Sequence, residues 1–284
     1  MTVAERRVTM RQVIAEAADV LAAAGVGSPR VDAELLAAHV AGIDRWRVAF
    51  LEPDTEFETR YRGLVAQRAQ RVPLQHLTGT AAFGPIAVQV GPGVFVPRPE
   101  TESLLEWVLA QSFSSAPVIV DLCTGSGALA LALAHSVTNA RVVAVDDSDE
   151  ALAYARRNTA GTTVEVRRAD VMSAGVLDDL DAAVDVLVCN PPYIPDGSEL
   201  EPEVAQHDPA HALFGGPDGM TIIDSLAGVA ARLLKPGGIC AVEHDDTTSQ
   251  HTVDAFVRTG DFVDVTARHD LAGRPRFVTA VRAG

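Results

Sequence analysis

Residues 118–127, Val-Ile-Val-Asp-Leu-Cys-Thr-Gly-Ser-Gly, form an apolar run that ends in a glycine-containing turn. The run predicts a buried β-strand, and the turn predicts the start of a helix at Ser126. In an open α/β sheet the ligand crevice lies at the carboxyl ends of the strands, where glycines let the backbone approach a ligand closely. Taken alone, the stretch indicates a crevice but no particular ligand.

Downstream of this stretch, apolar strands alternate with helical patterns. The further strands are predicted at Arg141–Asp146, Val164–Val166, Asp185–Cys189, Ile239–Glu243, Val263–Val265 and Phe277–Val281, and the helices from Ser148, over Ile222–Leu234 and near Thr252–Val257. Such alternation is typical of a mostly parallel sheet with helices on both faces. Residues 99–284 are therefore predicted to form a Rossmann-like α/β domain.

The N-terminal part of the chain has a different pattern. Thr9 and Gln12 form a capping box before a stripe of apolar residues, and Ser28 with Pro29 marks the start of a second helix. Residues 1–75 are predicted to form a small helical bundle. From residue 76 to residue 98, glycines and prolines punctuate alternating apolar residues, which predicts a β-hairpin linker.

The two parts also differ in charge. Residues 1–98 hold 11 Arg against 10 acidic residues, whereas residues 99–284 hold 12 basic against 28 acidic residues, a formal charge of -16. Binding to duplex nucleic acid depends on clusters of Lys and Arg, which this half lacks. Direct duplex binding is therefore not expected.

Other classes of protein are disfavoured by composition. The apolar stretches fall far short of the roughly 18 residues of a membrane span, and polar residues soon after Met1–Arg7 interrupt any signal-peptide core. Cys123, Cys189 and Cys240 form no CxxC pair, so neither a zinc site nor a disulfide framework is indicated. We expect a monomeric cytoplasmic protein without a metal.

A carboxylate follows the glycine turn at the spacing of a ribose-binding acid. Asp146 ends the second strand, 19 residues after Gly127, and an acid there can accept hydrogen bonds from both ribose hydroxyls. The turn reads GxG without the third glycine of a pyrophosphate cradle, which favours S-adenosylmethionine over NAD. The alternative is that Asp146 only caps a helix. Asp170 could border the adenine or be a solvated loop acid.

The sharpest motif is Asn190-Pro191-Pro192-Tyr193, directly after the strand Asp185–Cys189. The two prolines stiffen the loop, so that the Asn190 side chain and the nearby carbonyl groups point to one place. Two such acceptors would bind an uncharged NH2 group and favour the pyramidal nitrogen that attacks a methyl group. The alternative, a rigid surface turn with Tyr193 as a packing ring, is weakened by the position of the motif at a strand end.

Together these motifs resemble the release-factor glutamine methyltransferases of the HemK/PrmC type. The resemblance covers nearly the whole chain and is made specific by residues 96–102, Val-Pro-Arg-Pro-Glu-Thr-Glu, and residues 212–219, Ala-Leu-Phe-Gly-Gly-Pro-Asp-Gly. It implies methyl transfer from S-adenosylmethionine to the glutamine amide nitrogen in the Gly-Gly-Gln motif of peptide chain release factors, with S-adenosylhomocysteine as the product. We expect the helical bundle, with its apolar faces and a charge close to neutral, to be the surface that docks the substrate.

The resemblance assigns residues to each ligand. The implied cofactor residues are Cys123, Thr124, Gly125, Ser126, Gly127, Asp146, Asp170, Val171 and Asn190. The glutamine would be received by Asn190, Pro191, Pro192 and Tyr193, of which Asn190, Pro191 and Tyr193 are the catalytic candidates.

The chain departs from the family pattern at three positions. Relatives usually have Gly at Cys123, often Asp at Glu100 and often an aromatic residue at Val171. Cys123 fits if the turn needs no positive φ at that position. The change at Val171 could cost some stacking on the adenine.

Two histidine-containing clusters are weaker candidates. His207 and His211 are four residues apart, but Pro209 between them prevents a helical metal-binding face. Glu243 and His244 lie at another strand end and could act as acid and base, although closing the cofactor pocket is the favoured role. Two rival functions are weighed. An N6-adenine methyltransferase of nucleic acid would use the same Asn-Pro-Pro-Tyr chemistry but is disfavoured by the charge of -16. A non-catalytic binding protein that retained the fold is disfavoured by the intact Asp146 and Asn190.

Overall fold

The computed structural model describes residues 9–284, which form two compact units. One unit comprises the described part of Met1–Gly79 together with Glu201–His207, and the other comprises Thr80–Leu200 and Asp208–Gly284. Residues 1–7, for which the sequence predicts no signal-peptide core, lie outside the described residues. None of the helices in the described part of the chain is long and apolar enough to cross a membrane.

The smaller unit is helical, as predicted. Its elements are α1 (Met10–Ala23), α2 (Pro29–Ala41), a 3-10 helix (Arg45–Phe50), α3 (Thr55–Ala69) and α4 (Leu74–Thr78). The Thr9–Gln12 capping box is present, and α2 ends at Gly42 in the left-handed conformation, with φ 64°. In the core, the Tyr61 hydroxyl donates to the carbonyl of Ala33 at 2.9 Å.

A segment distant in sequence completes this unit. This segment, residues 201–207, includes a whole short helix, and Glu203 in it accepts hydrogen bonds from Arg68 and Arg71. Arg68 is 7% exposed and also donates to Asp32 at 2.7 Å. Nothing in the local sequence pattern indicates this association, because the pairing charges lie more than 130 residues apart.

All nine strands of the described residues and the remaining α-helices except one lie in the larger unit. In chain order they are β1 (Thr80–Phe83), β2 (Ile86–Gln89), α5 (Pro99–Leu109), β3 (Val118–Leu122), α6 (Ala128–Ser136), β4 (Arg141–Asp146), α7 (Asp149–Asn158), β5 (Glu165–Arg168), β6 (Val184–Cys189), α8 (Pro202–His207, which clusters with the smaller unit), α9 (Thr221–Leu233), β7 (Leu234–Glu243), α10 (Ser249–Thr259), β8 (Phe262–His269) and β9 (Pro275–Arg282).

Seven strands form the central sheet in the order β5-β4-β3-β6-β7-β9-β8. The first five are parallel, and β9 runs antiparallel between β7 and β8. The predicted Rossmann-like fold is confirmed, with an antiparallel pair at one edge. The last two strands are longer than their predicted cores, since both extend beyond the most apolar residues.

Apolar cores cover both faces of the sheet. One contains Leu104 and Leu105 of α5 with residues of α6, and the other contains residues of α9 and Phe256 of α10. The hairpin β1–β2 contributes Phe83 and Val88 to the first core. Most of the segment predicted as a linker, residues 76–98, thus packs as part of the larger unit, while His76–Thr78 ends α4.

Candidate active site

The order of the strands brings the two predicted loops together. The chain leaves β3 toward β4 and β5 on one side, and then returns to place β6 on the other side of β3. A crevice forms at such a switch point, beyond the carboxyl ends of the strands. Leu122 and Cys189 are partners in the register of β3 and β6, so the glycine turn and the proline loop start side by side.

Backbone hydrogen bonds hold the glycine turn over the end of β4. The N–H of Thr124 donates to the carbonyl of Val145 at 2.9 Å, and the N–H of Gly125 donates to Asp146 Oδ2 at 2.8 Å. A Cβ added at Gly125 would have no atom within 4 Å, so this residue borders open space. Gly127 has φ 80°, and a Cβ added there would lie only 3.2 Å from the Cα of Ala155. The turn thus offers backbone to a ligand at Gly125 and packs against α7 at Gly127.

Asp146 is half-buried at the rim of this turn. Its second oxygen, Oδ1, accepts from the N–H of Ser148 at 3.0 Å, whereas the N-cap of α7 is Ser148 itself, whose hydroxyl accepts from the N–H of Ala151. Burial raises the pKa of Asp146, and the N–H groups of Gly125 and Ser148 act in the opposite direction. A carboxylate oxygen has more than one lone pair, so these two bonds leave acceptor capacity for ribose hydroxyls. Asp146 is therefore not the N-cap of α7, and its ribose role stays a prediction.

Behind the turn lies a buried acid that the sequence interpretation passed over. Asp121 is 1% exposed, and its Oδ2 accepts from the Thr124 hydroxyl at 2.5 Å and from the N–H of Ala130 at 3.1 Å. Burial raises the pKa of Asp121 to about 7. An acid at the end of an otherwise apolar strand was the available signal. Asp121 ties the turn to the first residues of α6.

The backbone at Cys123 differs from the expectation of a negative φ. Its φ is 56°, in the left-handed region that favours glycine. The thiol lies beside Cys189, which precedes Asn190, and burial raises the pKa of Cys189 well above its ordinary value. Cys123 therefore occupies a glycine-like position at some cost in backbone strain.

Two side chains of the proline loop are oriented by hydrogen bonds to residues of other elements. Asn190 Nδ2 donates to Thr101 Oγ1 at 3.1 Å, and the Tyr193 hydroxyl donates to Glu243 Oε1 at 2.8 Å. The Thr101 hydroxyl in turn donates to Glu243 Oε2 at 2.7 Å. Glu243 is 1% exposed, and burial raises its pKa to about 7. Thr101 at the start of α5 and Tyr193 in the loop after β6 thus both donate to the carboxylate of Glu243 at the end of β7.

A glycine-rich segment supports the backbone of the same loop. Ile194 donates to the carbonyl of Leu213 at 2.9 Å, and Gly215 donates to the carbonyl of Ile194 at 2.9 Å. A Cβ on Gly215 would lie 2.5 Å from the carbonyl oxygen of Pro192, and a Cβ on Gly219, where φ is 76°, would overlap the carbonyl of Tyr193. Glycine is required here because the two backbones touch. These contacts account for Gly215 and Gly219 of the Gly-Gly-Pro-Asp-Gly sequence.

One cleft brings together nearly all of the predicted site residues. With its open mouth it encloses about 1270 Å³, and its lining includes the predicted cofactor and substrate residues with the exception of Gly127. Asp170 is exposed and accepts from the N–H of Met172 at 2.8 Å, whereas Val171 is buried. The lining also contains Phe95, Thr101 and Asp121, which were not predicted. His207 is outside this lining, and His211 is part of it.

The charge of the cleft suits a cationic nucleoside cofactor. Among the described lining residues are four aspartates, Asp121, Asp146, Asp147 and Asp170, and no Lys or Arg. Such a surface would repel the pyrophosphate of NAD and attract a sulfonium. No set of three or more His, Cys, Asp or Glu residues between positions 9 and 284 is arranged to hold a metal ion.

Comparison with known families divides the chain in a consistent way. The model of the PrmC N-terminal domain matches residues 12–79, and the model of the methyltransferase small domain matches residues 88–212. The release factor glutamine methyltransferase of Mycolicibacterium smegmatis is 64% identical over 274 residues, which are 96% of this chain and 98% of that protein. The chain belongs to the release factor glutamine methyltransferase family.

Similarity to this family extends beyond close relatives. The release factor glutamine methyltransferase of Mycobacterium tuberculosis is 63% identical over 97% of this chain and 92% of that protein, and the one of Deinococcus radiodurans is 40% identical over 97% and 99%. A methyltransferase structure from Pyrococcus furiosus has a TM-score of 0.52, with 16% identity over 77% of this chain and 99% of that one, which supports the fold alone. Family membership makes the protein a methyltransferase, and the adenine-methylating alternative is not favoured.

Proposed function

We propose that this chain transfers a methyl group from S-adenosylmethionine to the side-chain amide nitrogen of the glutamine in the Gly-Gly-Gln motif of peptide chain release factors. The observation that carries the proposal is the oriented Asn190 amide beside an acidic cleft. An amide nitrogen is the substrate group that such an acceptor recognises, and a cleft with four aspartates suits a sulfonium.

The cofactor would be held by residues at the ends of β3, β4 and β5. Asp146 would accept from the ribose hydroxyls, the backbone at Gly125 would lie against the ligand, and Val171 with Asp170 would border the adenine. When bound, S-adenosylmethionine supplies an electrophilic methyl group. The glycine turn needs no large rearrangement for this role, because its hydrogen bonds to Val145 and Asp146 already fix it.

The proline loop would prepare the substrate nitrogen. Asn190 Oδ1, together with a neighbouring backbone carbonyl such as that of Pro191, would accept the two hydrogens of the glutamine NH2 group. Acceptance of both hydrogens favours a pyramidal nitrogen with an available lone pair, so the interaction strengthens as the reaction proceeds. Tyr193 and the prolines would exclude water and hold the glutamine in line. No base is needed before transfer, since the nitrogen loses its proton readily after it has bonded to the methyl group.

Transfer to a purified release factor tests this function. The protein is incubated with labelled S-adenosylmethionine and a release factor, and the labelled peptide is located by mass spectrometry. We expect one methyl group on the Gly-Gly-Gln glutamine. A factor with Glu in place of that Gln is the matched control, because a carboxylate offers no hydrogens to the acceptors. Label on the Glu factor, or on nucleic acid instead of protein, would contradict the proposal.

The helical bundle is proposed to dock the folded release factor. Two large apolar side chains project from its 3-10 helix: Trp46 is 72% exposed and Phe50 is 81% exposed. Exposed aromatic residues of this kind often anchor protein interfaces. We expect the double variant Trp46→Ala, Phe50→Ala to raise KM for the folded factor at least tenfold and to leave methylation of a short Gly-Gly-Gln peptide unchanged.

A substitution elsewhere controls for the loss of exposed apolar surface. Leu271 is 85% exposed on the loop between β8 and β9, so Leu271→Ala removes a similar kind of side chain from the larger unit. This variant should leave KM for the folded factor and methylation of the short peptide unchanged. Equal loss with the folded factor and with the peptide would remove the docking role of Trp46 and Phe50. Deletion of residues 1–75 is a less clean test, because Glu203 would lose Arg68 and Arg71.

A further inference from the structure

Glu243 lies at the centre of a chain of hydrogen bonds that reaches Asn190. The Thr101 hydroxyl donates to Glu243 Oε2 at 2.7 Å, the Tyr193 hydroxyl donates to Glu243 Oε1 at 2.8 Å, and Asn190 Nδ2 donates to Thr101 Oγ1 at 3.1 Å. Thr101 is 5% exposed and Glu243 is 1% exposed, so water does not compete freely for these bonds. The carboxylate is the only group of the four that has no proton to donate when it is ionised.

The direction of each bond follows from the number of protons. A threonine hydroxyl has one proton, and here it is given to Glu243, so Thr101 Oγ1 can only accept from a further partner. Of the two ends of the Asn190 amide, only the NH2 end can donate to it. The amide with its ends exchanged would place its oxygen against the oxygen of Thr101 with no proton between them. The buried charge of Glu243 therefore selects one of two amide orientations.

We propose that Glu243, acting through Thr101, is a positioning residue that fixes the Asn190 carboxamide with its oxygen available to the substrate NH2 group. The proposal rests on the proposed function, since it is the glutamine nitrogen that needs an acceptor. It assigns roles to Thr101 and Glu243 in which neither residue touches the reacting atoms. Tyr193 is held by the same carboxylate, so one buried group orients two side chains of the loop.

The charges that face Glu243 come from several elements. Arg276 of β9 favours the ionised carboxylate, Glu100 of α5 disfavours it, and the neutral Tyr193 hydroxyl donates to it. Burial is the largest influence and raises the pKa of Glu243 to about 7. His244, the next residue, has a lowered pKa because of its own burial. Glu243 can therefore change its charge near neutral pH.

Protonation of Glu243 would release the constraint on Asn190. A protonated Oε2 would donate to Thr101 Oγ1, and the Thr101 hydroxyl would then be free to donate to the Asn190 oxygen. The amide could rotate and present its NH2 end to the cleft, where it would repel the substrate NH2 group. Methyl transfer should therefore fall as the pH drops below about 7, in step with the titration of Glu243.

Four variants of the full-length enzyme test the proposal in single-turnover methylation of a release factor. Thr101→Val removes the hydroxyl with little change in shape, and Thr101→Ser restores it. Glu243→Gln keeps the shape and removes the charge. Thr159→Val is the control, because it deletes a buried hydroxyl that donates to Ala155 in α7, outside the cleft lining. Affinity for S-adenosylhomocysteine, affinity for the factor and Tm are measured for each.

We expect Thr101→Val and Glu243→Gln to lower the single-turnover rate at pH 8 at least tenfold, with both affinities within twofold of the wild-type values. Thr101→Ser should recover most of the rate, and Thr159→Val should have no effect on it. The acid limb of the pH profile should be present in the wild type and absent in Glu243→Gln. These readouts separate orientation of the amide from a merely structural contribution.

Several results would overturn the proposal. They are a wild-type rate for Thr101→Val, a Thr101→Ser rate as low as that of Thr101→Val, or an unchanged acid limb in Glu243→Gln. If Thr101→Val does not fold, the pH profile of Glu243→Gln decides. Failure of the proposed function is distinguishable, since the wild-type enzyme would then not methylate the factor at any pH.

Discussion

The glycine turn after β3 and the proline loop after β6 border the same cleft but present different groups to it. The turn consists of small residues whose N–H groups donate to the carbonyl of Val145 and the carboxylate of Asp146, whereas the side chains of the loop are oriented by hydrogen bonds to side chains of distant elements. The turn offers backbone and space, as a cofactor with a large surface requires. The loop offers a few precisely oriented acceptors, as a small reacting group requires. The comparison predicts that the loop tolerates less change than the turn.

Both loops nevertheless share one device, a buried carboxylate at their base. Asp121 accepts from the Thr124 hydroxyl of the turn, and Glu243 accepts from the Tyr193 hydroxyl of the loop. Burial raises the pKa of each acid to about 7. Burying a charged carboxylate costs free energy, but its charge-assisted hydrogen bonds orient hydroxyl donors strongly.

The largest effect is expected from Asn190, where the loop meets the substrate. Asn190→Ala should lower single-turnover methylation about 100-fold or more, comparable to the loss of one oxyanion-hole donor, because the interaction is strongest in the transition state. Affinity for the release factor should change little. Asn190→Asp keeps an acceptor but loses the donor to Thr101, and its rate should lie between those of the wild type and Asn190→Ala. Full activity of Asn190→Ala would remove the distinction between the two loops.

The two buried acids predict a pH-dependent stability. Folding raises the pKa of Asp121 and of Glu243 above the unfolded values of 3.8 and 4.5. The stabilisation from each bound proton is fully present below the unfolded pKa and is lost as the pH rises through about 7. At 1.36 kcal/mol per pKa unit, the loss is on the order of 4 kcal/mol for Asp121 and on the order of 3 kcal/mol for Glu243.

Isosteric neutral variants isolate these contributions. Asp121→Asn and Glu243→Gln should each lose less free energy of unfolding between pH 5 and pH 8.5 than the wild type does, as measured by denaturant titration. Comparison of variant with wild type cancels the other titrating groups, among them His244, whose lowered pKa acts in the opposite direction. A decline as steep in Asp121→Asn as in the wild type would show that the acid beneath the turn is not a proton-binding site of the folded state.

On the cofactor side, Asp146 should have an intermediate effect. Asp146→Ala should weaken binding of S-adenosylmethionine and S-adenosylhomocysteine by about 1.5 to 3 kcal/mol, the range for hydrogen bonds to a charged group. Because Asp146 also accepts from Gly125 and Ser148, part of the loss comes from the turn itself. Asp170→Ala is the matched comparison and should cost less, since Asp170 is exposed. Unchanged calorimetric affinity of Asp146→Ala would exclude the ribose role.

The sequence predicted the parts of the site that depend on local pattern. An apolar strand followed by a glycine turn, an acid at the end of the next strand and a proline loop after a later strand are all contiguous signals. Strand order then places them together, because parallel strands end at one edge of the sheet. Most of the fold and the lining of the cleft could be predicted in this way.

The supporting residues could not be predicted, because each depends on long-range contacts. Thr101 and Glu243 are 142 residues apart in sequence, and only the packed sheet and α5 bring them together. The association of Glu203 with Arg68 likewise joins residues 135 apart. For Cys123 the local pattern was misleading, since a cysteine gave no sign that the position has a positive φ.

The smallest effect is expected at Cys123, where the tolerance of the turn can be measured directly. A non-glycine residue in the left-handed region costs roughly 1 to 2 kcal/mol relative to glycine, so replacement by glycine removes this strain. Part of the gain in stability is offset because glycine loses more backbone entropy on folding. Cys123→Gly should therefore increase the free energy of unfolding by about 1 kcal/mol. Cys123→Ala removes the same thiol beside Cys189 but keeps the strained φ of 56°, so it should be less stable than Cys123→Gly. Both variants should bind S-adenosylhomocysteine within twofold of the wild type, because the turn contributes backbone to the cleft. If Cys123→Ala is as stable as Cys123→Gly or more stable, the positive φ at residue 123 does not destabilise the fold. The side chains of the turn would then matter as much as those of the proline loop.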